Sequence, residues 1–567
     1  MGRTSYEFAD LRVDLARRTL ERNGEVVPLY PRTFDALVLM IEHVDQVLTK
    51  EVLFNHLWPS VIVEENSLAR VISDMRKALG SAGECVVTVA RRGYRFDGPV
   101  RVIQPPPTLA VLPFSWVGDN EADKLLAFGL ADALITRLSK IRDVIVRPTS
   151  SVARYINVES PVSCGRELQA TSVLAGTVRR HGTQLRITVQ LIDVASQAAL
   201  WADKFDEAVG DIFTLEDVIT ERVARALAVE LSGAEQQSLR RRYTRDSRAY
   251  DLYLRGRFWL SQRTGALRNA AESFKQATIL DPDFALAYAG LAEACMVASI
   301  ASTTLDAVPP REMVPLARTA AVRALALDEH LGQAHAVLGH IGISFDWDWS
   351  SAERHFLRAI RLSANDSTSH HYYAIALSSI GRSEEALQEI RRARELEPTS
   401  IVIHANAGFI LYRAHRVEEA ISELDSSVIL APHSAYARYR YGLALQAAGR
   451  SDEALMQFSA LGQLPSAELL EMVGMGHLLA TLGRISEAQQ ILRRLLAMSK
   501  ERYVSAYFIA EIYAGLGDND RAFEWLEKAY EERAILMISL QSNPKWDSLR
   551  TDPRFKSLVR RVGLWDE

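Results

Sequence analysis

The chain has 567 residues, 48% hydrophobic and 24% charged, with a formal net charge of −5. This is the composition of an ordinary globular protein long enough for about three to five domains. No run approaches the ~18–20 uninterrupted apolar residues of a membrane span, and no basic-then-apolar leader opens the chain. Three sparse cysteines, Cys85, Cys164 and Cys295, argue against a disulfide framework and for a reducing cytoplasm.

From the start, Tyr6 to Leu29 alternates like short strands broken at Asn23-Gly24. Pro31 to Val44 carries Phe34, Leu37, Val38 and Ile41 at helical spacing, and Thr49 to Leu57 reads as a second helix, capped by Thr49 and ended by Trp58-Pro59. A third helix follows. Leu68, Ile72, Met75 and Leu79 recur every three or four residues and make one apolar stripe. Asn66 or Ser67 is expected to cap its start, and Gly80 to supply a left-handed stop. Opposite the stripe lie Asn66, Arg70, Ser73, Asp74 and Lys77, a face suited to base edges and phosphates of a major groove. Val86 to Val89 and Tyr94-Arg95-Phe96 then read as a β-hairpin bent at Gly93, with Arg91 and Arg92 at its tip. Guanidinium groups there suit phosphates or a narrow minor groove.

Three helices followed by a wing, with RxxxSDMRKALG and TVARRGYRF, resemble the OmpR/PhoB-type effector domain of bacterial regulators, nearest in layout to its ToxR/CadC/HilA-like branch. The resemblance covers about residues 5–99. It implies an α+β winged helix-turn-helix that binds promoter DNA through Asn66, Ser67, Arg70, Ser73, Asp74 and Lys77 on the helix, with Arg91, Arg92 and Arg95 on the wing. Asp74 departs from the basic or neutral residue usual there; it either accepts from a cytosine amino group or orients Arg70 one turn earlier. Residues 1–104 hold equal numbers of acidic and basic side chains, so charge alone gives no strong nucleic-acid signature.

Gln104-Pro105-Pro106-Pro107 reads as a stiff break. Beyond it, Thr108–Phe114 reads as a buried strand, followed by a Gly118-Asp119-Asn120 loop and a helix from Leu125 to Ile141. Val144–Arg147 is a second strand. Val173–Arg179 and Leu185–Val194 form a hairpin turned at His181-Gly182, Leu200–Phe205 adds a strand, and Ile212–Leu231 a closing helix. LAVLPF, LAGTVRRHGTQLRITVQLIDV and LWADKFD resemble the TolB N-terminal-like α/β module, which also keeps company with nucleotide cyclases. Asp119 and Asp123 read as loop and helix-start residues rather than metal ligands.

Alanines at 386, 420, 454, 488 and 522 step by 34 residues, each followed four positions later by Ile390, Leu424, Phe458, Leu492 or Leu526. Glycines 381, 449, 483 and 517 keep the period, with His415 in the fifth slot, and Gly408, Gly442 and Gly476 form another series. Stacked two-helix hairpins explain the pattern, since one hairpin cannot bury its own apolar face. It resembles the tetratricopeptide repeat, in about eight units over 247–533 with an insertion near Ser299–Pro310, and Asn543 to Leu564 is expected to be a capping helix over the last apolar face. Tyr412, Arg413, Tyr436, Tyr439 and Tyr507 either line a concave partner-binding face or pack between repeats.

The expected organisation is thus a multidomain chain: 1–104 a winged helix, 105–235 an α/β middle domain, and 236–567 an all-α tetratricopeptide superhelix. The expected function is that of a cytoplasmic bacterial transcriptional regulator, by resemblance more an activator than a repressor. Its partners are double-stranded promoter DNA, RNA polymerase through the loop Leu57–Glu65, and a protein, second protomer or small ligand at the repeats. No membrane contact is expected. A rival is a repeat scaffold whose winged helix docks proteins. No catalytic residues, cofactor or metal site are expected. The histidines at 330, 335, 340, 355, 370 and 371 match no familiar metal spacing, and no receiver domain is expected ahead of the winged helix.

Overall fold

The computed structural model describes residues 5–15, 18–22, 25–59, 65–103, 106–116, 121–141, 143–181, 184–208, 212–227, 233, 243–262, 266–300 and 308–564. They form two compact units, Met1–Pro106 and Pro107–Glu567.

In the first unit, strands β1 (Ser5–Phe8), β2 (Leu11–Asp14), β3 (Thr19–Arg22) and β4 (Glu25–Val27) make an antiparallel meander. The Asn23-Gly24 break lies outside the described residues. Helices α1 (Pro31–Glu42), α2 (Lys50–Leu57) and α3 (Glu65–Leu79) follow, with β5 (Leu48–Thr49) ahead of α2. The Thr49 hydroxyl accepts from the Val52 amide at 3.2 Å, the expected cap. The wing is β6 (Val86–Val89) and β7 (Gly93–Phe96), with β5 on the other side of β7. One element escaped the sequence. Arg101–Ile103 forms β8, which pairs with β1 and closes the meander at the place where only a proline break was legible. Alternating residues of these strands and the inner helix faces, among them Phe8, Val13, Leu37, Met40, Ile72, Met75 and Phe96, share one core.

The second unit begins with a mixed sheet ordered β11-β9-β12-β13-β14. Here β9 is Thr108–Val111, β11 Ile145–Val146, β12 Ser172–His181, β13 Gln184–Asp193 and β14 Ala199–Ala208; Ser115–Trp116, β10, pairs with β12. The turn at Gly182 and the Gly118-Asp119-Asn120 loop lie outside the described residues. Helix α4 begins at Glu121, a turn before the expected Leu125, and ends at Leu138. Asp123, in its first turn, is 5% exposed and pairs with Arg180 at 2.6 Å. Two short helices, α5 (Thr149–Val152) and α6 (Pro161–Glu167), carry the crossover, and α7 (Ile212–Ala226) packs against α4 and β14.

Eight helical hairpins follow among the described residues. They are α8 (Ser247–Gln262) with α9 (Leu267–Leu280), α10 (Ala285–Ile300) with α11 (Pro310–Leu327), α12 (Gly332–Ile341) with α13 (Trp349–Leu362), α14 (Ser367–Ser379) with α15 (Ser383–Leu396), α16 (Ile401–Arg413) with α17 (Val417–Leu430), α18 (Ala435–Ala447) with α19 (Ser451–Leu461), α20 (Glu468–Thr481) with α21 (Ile485–Met498), and α22 (Ala506–Gly515) with α23 (Asn519–Glu531). Most of the insertion near Ser299–Pro310 lies outside the described residues. The periodic residues act as their chemistry predicts. Ala386, Ala420, Ala454, Ala488 and Ala522 are fully buried. A Cβ on Gly408 or Gly442 would come within 2.4 Å of Leu424 or Phe458, so those glycines admit the large residue of the second helix. The inter-helix turns at Gly381, Gly449, Gly483 and Gly517 have φ of +82°, +73°, +75° and +74°. His415 holds the same left-handed turn at +58°. Because a side chain is strained there, His415→Gly is expected to stabilise the second unit by about 0.5–1 kcal/mol, the gain being trimmed by the greater freedom of glycine in the unfolded chain. Urea unfolding of the two proteins side by side measures it.

A second 34-residue ladder was not legible as such. Arg382–Glu385, Arg416–Glu419, Arg450–Glu453 and Arg484–Glu487 form identical two-bonded clamps of 2.7 and 2.6 Å at the start of each second helix. They are solvent-facing, so water screens them and they add little to stability.

The module and the repeats are continuous in packing. Tyr250, Tyr253, Leu254 and Phe274 of the first hairpin belong to the same core as Leu109, Leu130, Leu134 and Ile219 of the α/β module. Arg147, 4% exposed, donates to the carbonyls of Glu395 and Leu396 at 2.9 and 2.6 Å. Glu397, 7% exposed, accepts from Ser150 and Ser151 of the module and from Ser367 of the repeats.

Candidate nucleic-acid interface

Helix α3 carries its apolar stripe inward as expected. Leu68, Ile72, Met75 and Leu79 are each at most 1% exposed. At ~100° per residue, Asn66, Arg70, Ser73 and Lys77 fall within about 60° of one another on the opposite face, and all four are exposed. Asp74 and Ser67 flank them and are half-buried. The helix begins at Glu65, so Asn66 and Ser67 occupy its first turn rather than the cap position; Glu64, the preceding residue, lies outside the described residues, as does most of the Leu57–Glu65 loop. Gly80 has φ +57°, the expected left-handed stop. The Leu79 carbonyl accepts from Arg22 at 2.8 Å, which ties the helix end to the meander.

The wing turns through Ala90-Arg91-Arg92. Arg91 holds a left-handed φ of +60° and the Arg92 amide donates to the Val89 carbonyl at 3.0 Å, so the two guanidiniums stand at the exposed tip. Arg95 is placed differently. Its guanidinium donates twice to Asp97, once at 2.6 Å, and that pairing raises its pKa further. Arg95 therefore stands at the hairpin base with a neutralising partner. No ion pair joins Asp74 to Arg70. The side chains of Arg70, Lys77, Arg91 and Arg92 make no internal hydrogen bond or ion pair among the described residues.

The residue that aligns helix and wing is Arg76, which sequence reasoning passed over. From the flank of the apolar stripe its guanidinium reaches the Val86 carbonyl at 2.9 and 2.6 Å and the Thr88 hydroxyl at 2.8 Å. Its own backbone is approached so closely that a Cβ on Gly83 would lie 2.6 Å from the Arg76 carbonyl. Burial pushes the nearby Cys85 thiol pKa up, which leaves it less reactive. From Glu65 to Asp97 six basic residues (Arg70, Arg76, Lys77, Arg91, Arg92 and Arg95) stand against four acidic ones (Glu65, Asp74, Glu84 and Asp97), a modest positive excess over helix and wing.

The repeat residues read as partner-facing are engaged by the chain itself. Beyond α23, residues 535–549 run across the first helices of several repeats, and α24 (Pro553–Arg561) then packs against α23. Tyr412, 2% exposed, donates to Asn543 at 3.1 Å. Arg413, 5% exposed, donates to Ser542 at 2.7 Å and to the Ile538 carbonyl at 3.2 Å, and burial pulls its pKa down. Tyr507 accepts from the Trp546 indole at 2.7 Å. Lys545 pairs with the buried Glu511 at 2.9 Å and lies 5.9 Å from the centroid of the Tyr439 ring. Tyr436 donates to Asn406 at 3.0 Å. Asn543 to Leu549 thus lies against the repeat faces, and only the later helix caps the array.

The histidines scatter into separate pairs. His335 meets His355 at 3.0 Å, His370 meets Glu389 at 2.5 Å and His371 meets Asn406 at 2.8 Å. No group of three His, Cys, Asp or Glu suited to a metal occurs among the described residues. No helix there is long and apolar enough to cross a membrane.

Residues 24–96 match the family model "Transcriptional regulatory protein, C terminal", residues 106–222 "HilA/YgeH-like transcriptional regulator, second domain", and residues 407–468 and 473–534 "Tetratricopeptide repeat". The stretch read from its strands as TolB-like thus matches a regulator's second domain. The chain is 32% identical to a putative adenylate cyclase 3 of Rhizobium meliloti over 33% of this chain and 32% of that one. It is 24% identical to the transcriptional regulator HilA of Salmonella paratyphi A over 67% of this chain and 68% of that one. The chain therefore spans about a third of the first relative's length and about two thirds of the second's. Among solved structures, the DNA-binding domain of Escherichia coli CadC aligns at 28% identity over 18% of this chain and 98% of that one, with a TM-score of 0.17.

Proposed function

We propose that this chain, which carries an OmpR/PhoB-type DNA-binding domain, a HilA/YgeH-like second domain and tetratricopeptide repeats, regulates transcription by binding double-stranded promoter DNA. In this reading α3 enters a major groove, with Arg70 aimed at base edges and Lys77 at a phosphate, while Arg91 and Arg92 hold the adjacent backbone. The observation that carries it is the combination of four exposed cations whose side chains have no internal partner among the described residues and a wing fixed to α3 by Arg76. Promoter activation in the cytoplasm, contact with RNA polymerase and a regulatory partner or ligand in the second unit belong to the same proposal. It assigns no enzymatic step to the chain: the relative matched over two thirds of the sequence is a regulator, and the likeness to a cyclase covers one third.

The test is a mobility shift on DNA from the chain's own upstream region. Arg70→Ala is expected to cost ~1–3 kcal/mol and to relax sequence preference at one position. Lys77→Ala is expected to weaken binding to all sequences alike. Unchanged affinity in both folded variants would leave the winged helix as a protein-docking module.

The wing has its own signature. Each phosphate neutralised contributes a slope of about 0.9 in a log–log plot of affinity against salt. Replacing Arg91 and Arg92 together with alanine is therefore expected to flatten that slope by up to ~2 units. An identical slope means that the tip does not reach the backbone.

A further inference from the structure

Between the α/β module and the first repeats lies a cavity of about 230 Å³. Thr136 of α4 and Ser150 of α5 line one side, and Tyr253, Arg257, Glu293 and Gln333 of the repeats line the other. Beneath it, Arg257 holds both oxygens of the fully buried Asp132 at 2.9 and 3.0 Å and reaches Glu293 at 3.4 Å. Gln333 also donates to Glu293, and Thr149 donates to Asp132 at 2.5 Å.

This floor, with Asp366 also in the lining, disfavours an anion above it. One guanidinium already faces two carboxylates, so an anion entering the cavity has to compete with both for Arg257. The side chains left without partners are uncharged. Tyr253 is 4% exposed, yet its hydroxyl makes no hydrogen bond among the described residues, and neither does that of Thr136. Glu293 and Gln333 keep acceptor capacity beside them. A ligand hydroxyl, being donor and acceptor at once, matches such a mixed lining, and the Tyr253 ring offers an apolar wall beside it. The volume falls below the roughly 300–1,000 Å³ of sites for drug-sized molecules.

We infer that this cavity binds a small, uncharged polyhydroxy compound of monosaccharide or cyclitol size. Because its walls come from both the module and the repeats, binding stabilises their junction, and the inference stands or falls independently of the DNA-binding reading.

Calorimetric titration of the full chain with a panel of free neutral monosaccharides and cyclitols is expected to give saturable binding of at least one. The unfolding midpoint should rise with its concentration. Tyr253→Phe removes only a hydroxyl with no internal partner. It is expected to leave the ligand-free midpoint unchanged while weakening binding about 2- to 10-fold, the worth of one hydrogen bond. Thr136→Trp, which fills the cavity, is expected to abolish binding. Failure of every neutral probe to saturate overturns the inference, as does a preference for a diamine or a dicarboxylate. Binding that both variants leave intact places the ligand elsewhere and overturns it equally.

Discussion

Gly93→Ala is expected to unfold the wing and abolish DNA binding. Gly93 has φ +151°, and a Cβ built there would stand 1.9 Å from the Leu48 carbonyl oxygen and 3.0 Å from the Thr49 Cα. The obstacle is backbone, which no rotamer change relieves. Accommodating the methyl group requires β7 to leave β5, and with it the register Leu48↔Tyr94 and Thr49↔Gly93. Thr49 is also the cap of α2, so the damage spreads to the helix beside it. Destabilisation of the first unit by roughly 3 kcal/mol or more is expected, in the range of strain at a special backbone position combined with a lost cap. Chemical denaturation and a mobility shift measure the two effects. A variant with the wild-type midpoint and affinity would show that β5 does not pack against the wing.

Trp546→Ala is expected to have the largest effect in the second unit. Trp546 is fully buried, edge-on to Tyr507 at 5.2 Å between ring centroids, with its indole N–H bonded to the Tyr507 hydroxyl. Removing such a side chain costs about 3–5 kcal/mol. The loss should appear as faster hydrogen exchange throughout 535–549 and in the first helices around Tyr412, Arg413 and Tyr507. DNA affinity is expected to stay the same, because Trp546 and the winged helix belong to different compact units and independent sites act additively. Wild-type exchange in that segment would show that it is held without Trp546.

These two residues also mark how far the sequence could be read. The helices and hairpins of both units were legible because burial imposes a period, as in Leu68-Ile72-Met75-Leu79 or the 34-residue alanine series. The left-handed helix stop at Gly80 was legible because glycine marks it, and the glycines of the repeat turns kept a visible period with His415 in their slot; the wing, by contrast, turns at Arg91 and not at the Gly93 expected to bend it. What a period does not encode is which distant segment fills a face. Tyr412 and Arg413 carry the composition of a binding surface, and nothing local says that Ser542 and Asn543 of the same chain bond them. Arg76 was obscured for the related reason that a charged residue on a helix flank is ordinarily solvated, whereas here it turns toward Val86. β8 is three residues long beside a proline run, too short for an alternation to show.

The return of the final segment has a consequence for how the protein is made. Arrays of hairpins in contact only with their neighbours can fold as each repeat is completed. Here Trp349 of the third hairpin donates to the Val562 carbonyl at 3.1 Å, across 213 positions of sequence. Domains emerge from synthesis N-terminal end first, so the first unit is complete while the apolar faces awaiting residues 535–564 are still bare. During that interval the nascent chain exposes surface that residues 535–564 cover in the finished fold. A ribosome stalled short of Trp546 therefore holds a chain with a finished DNA-binding unit and an unclosed repeat array, the state in which capture by a chaperone is most expected.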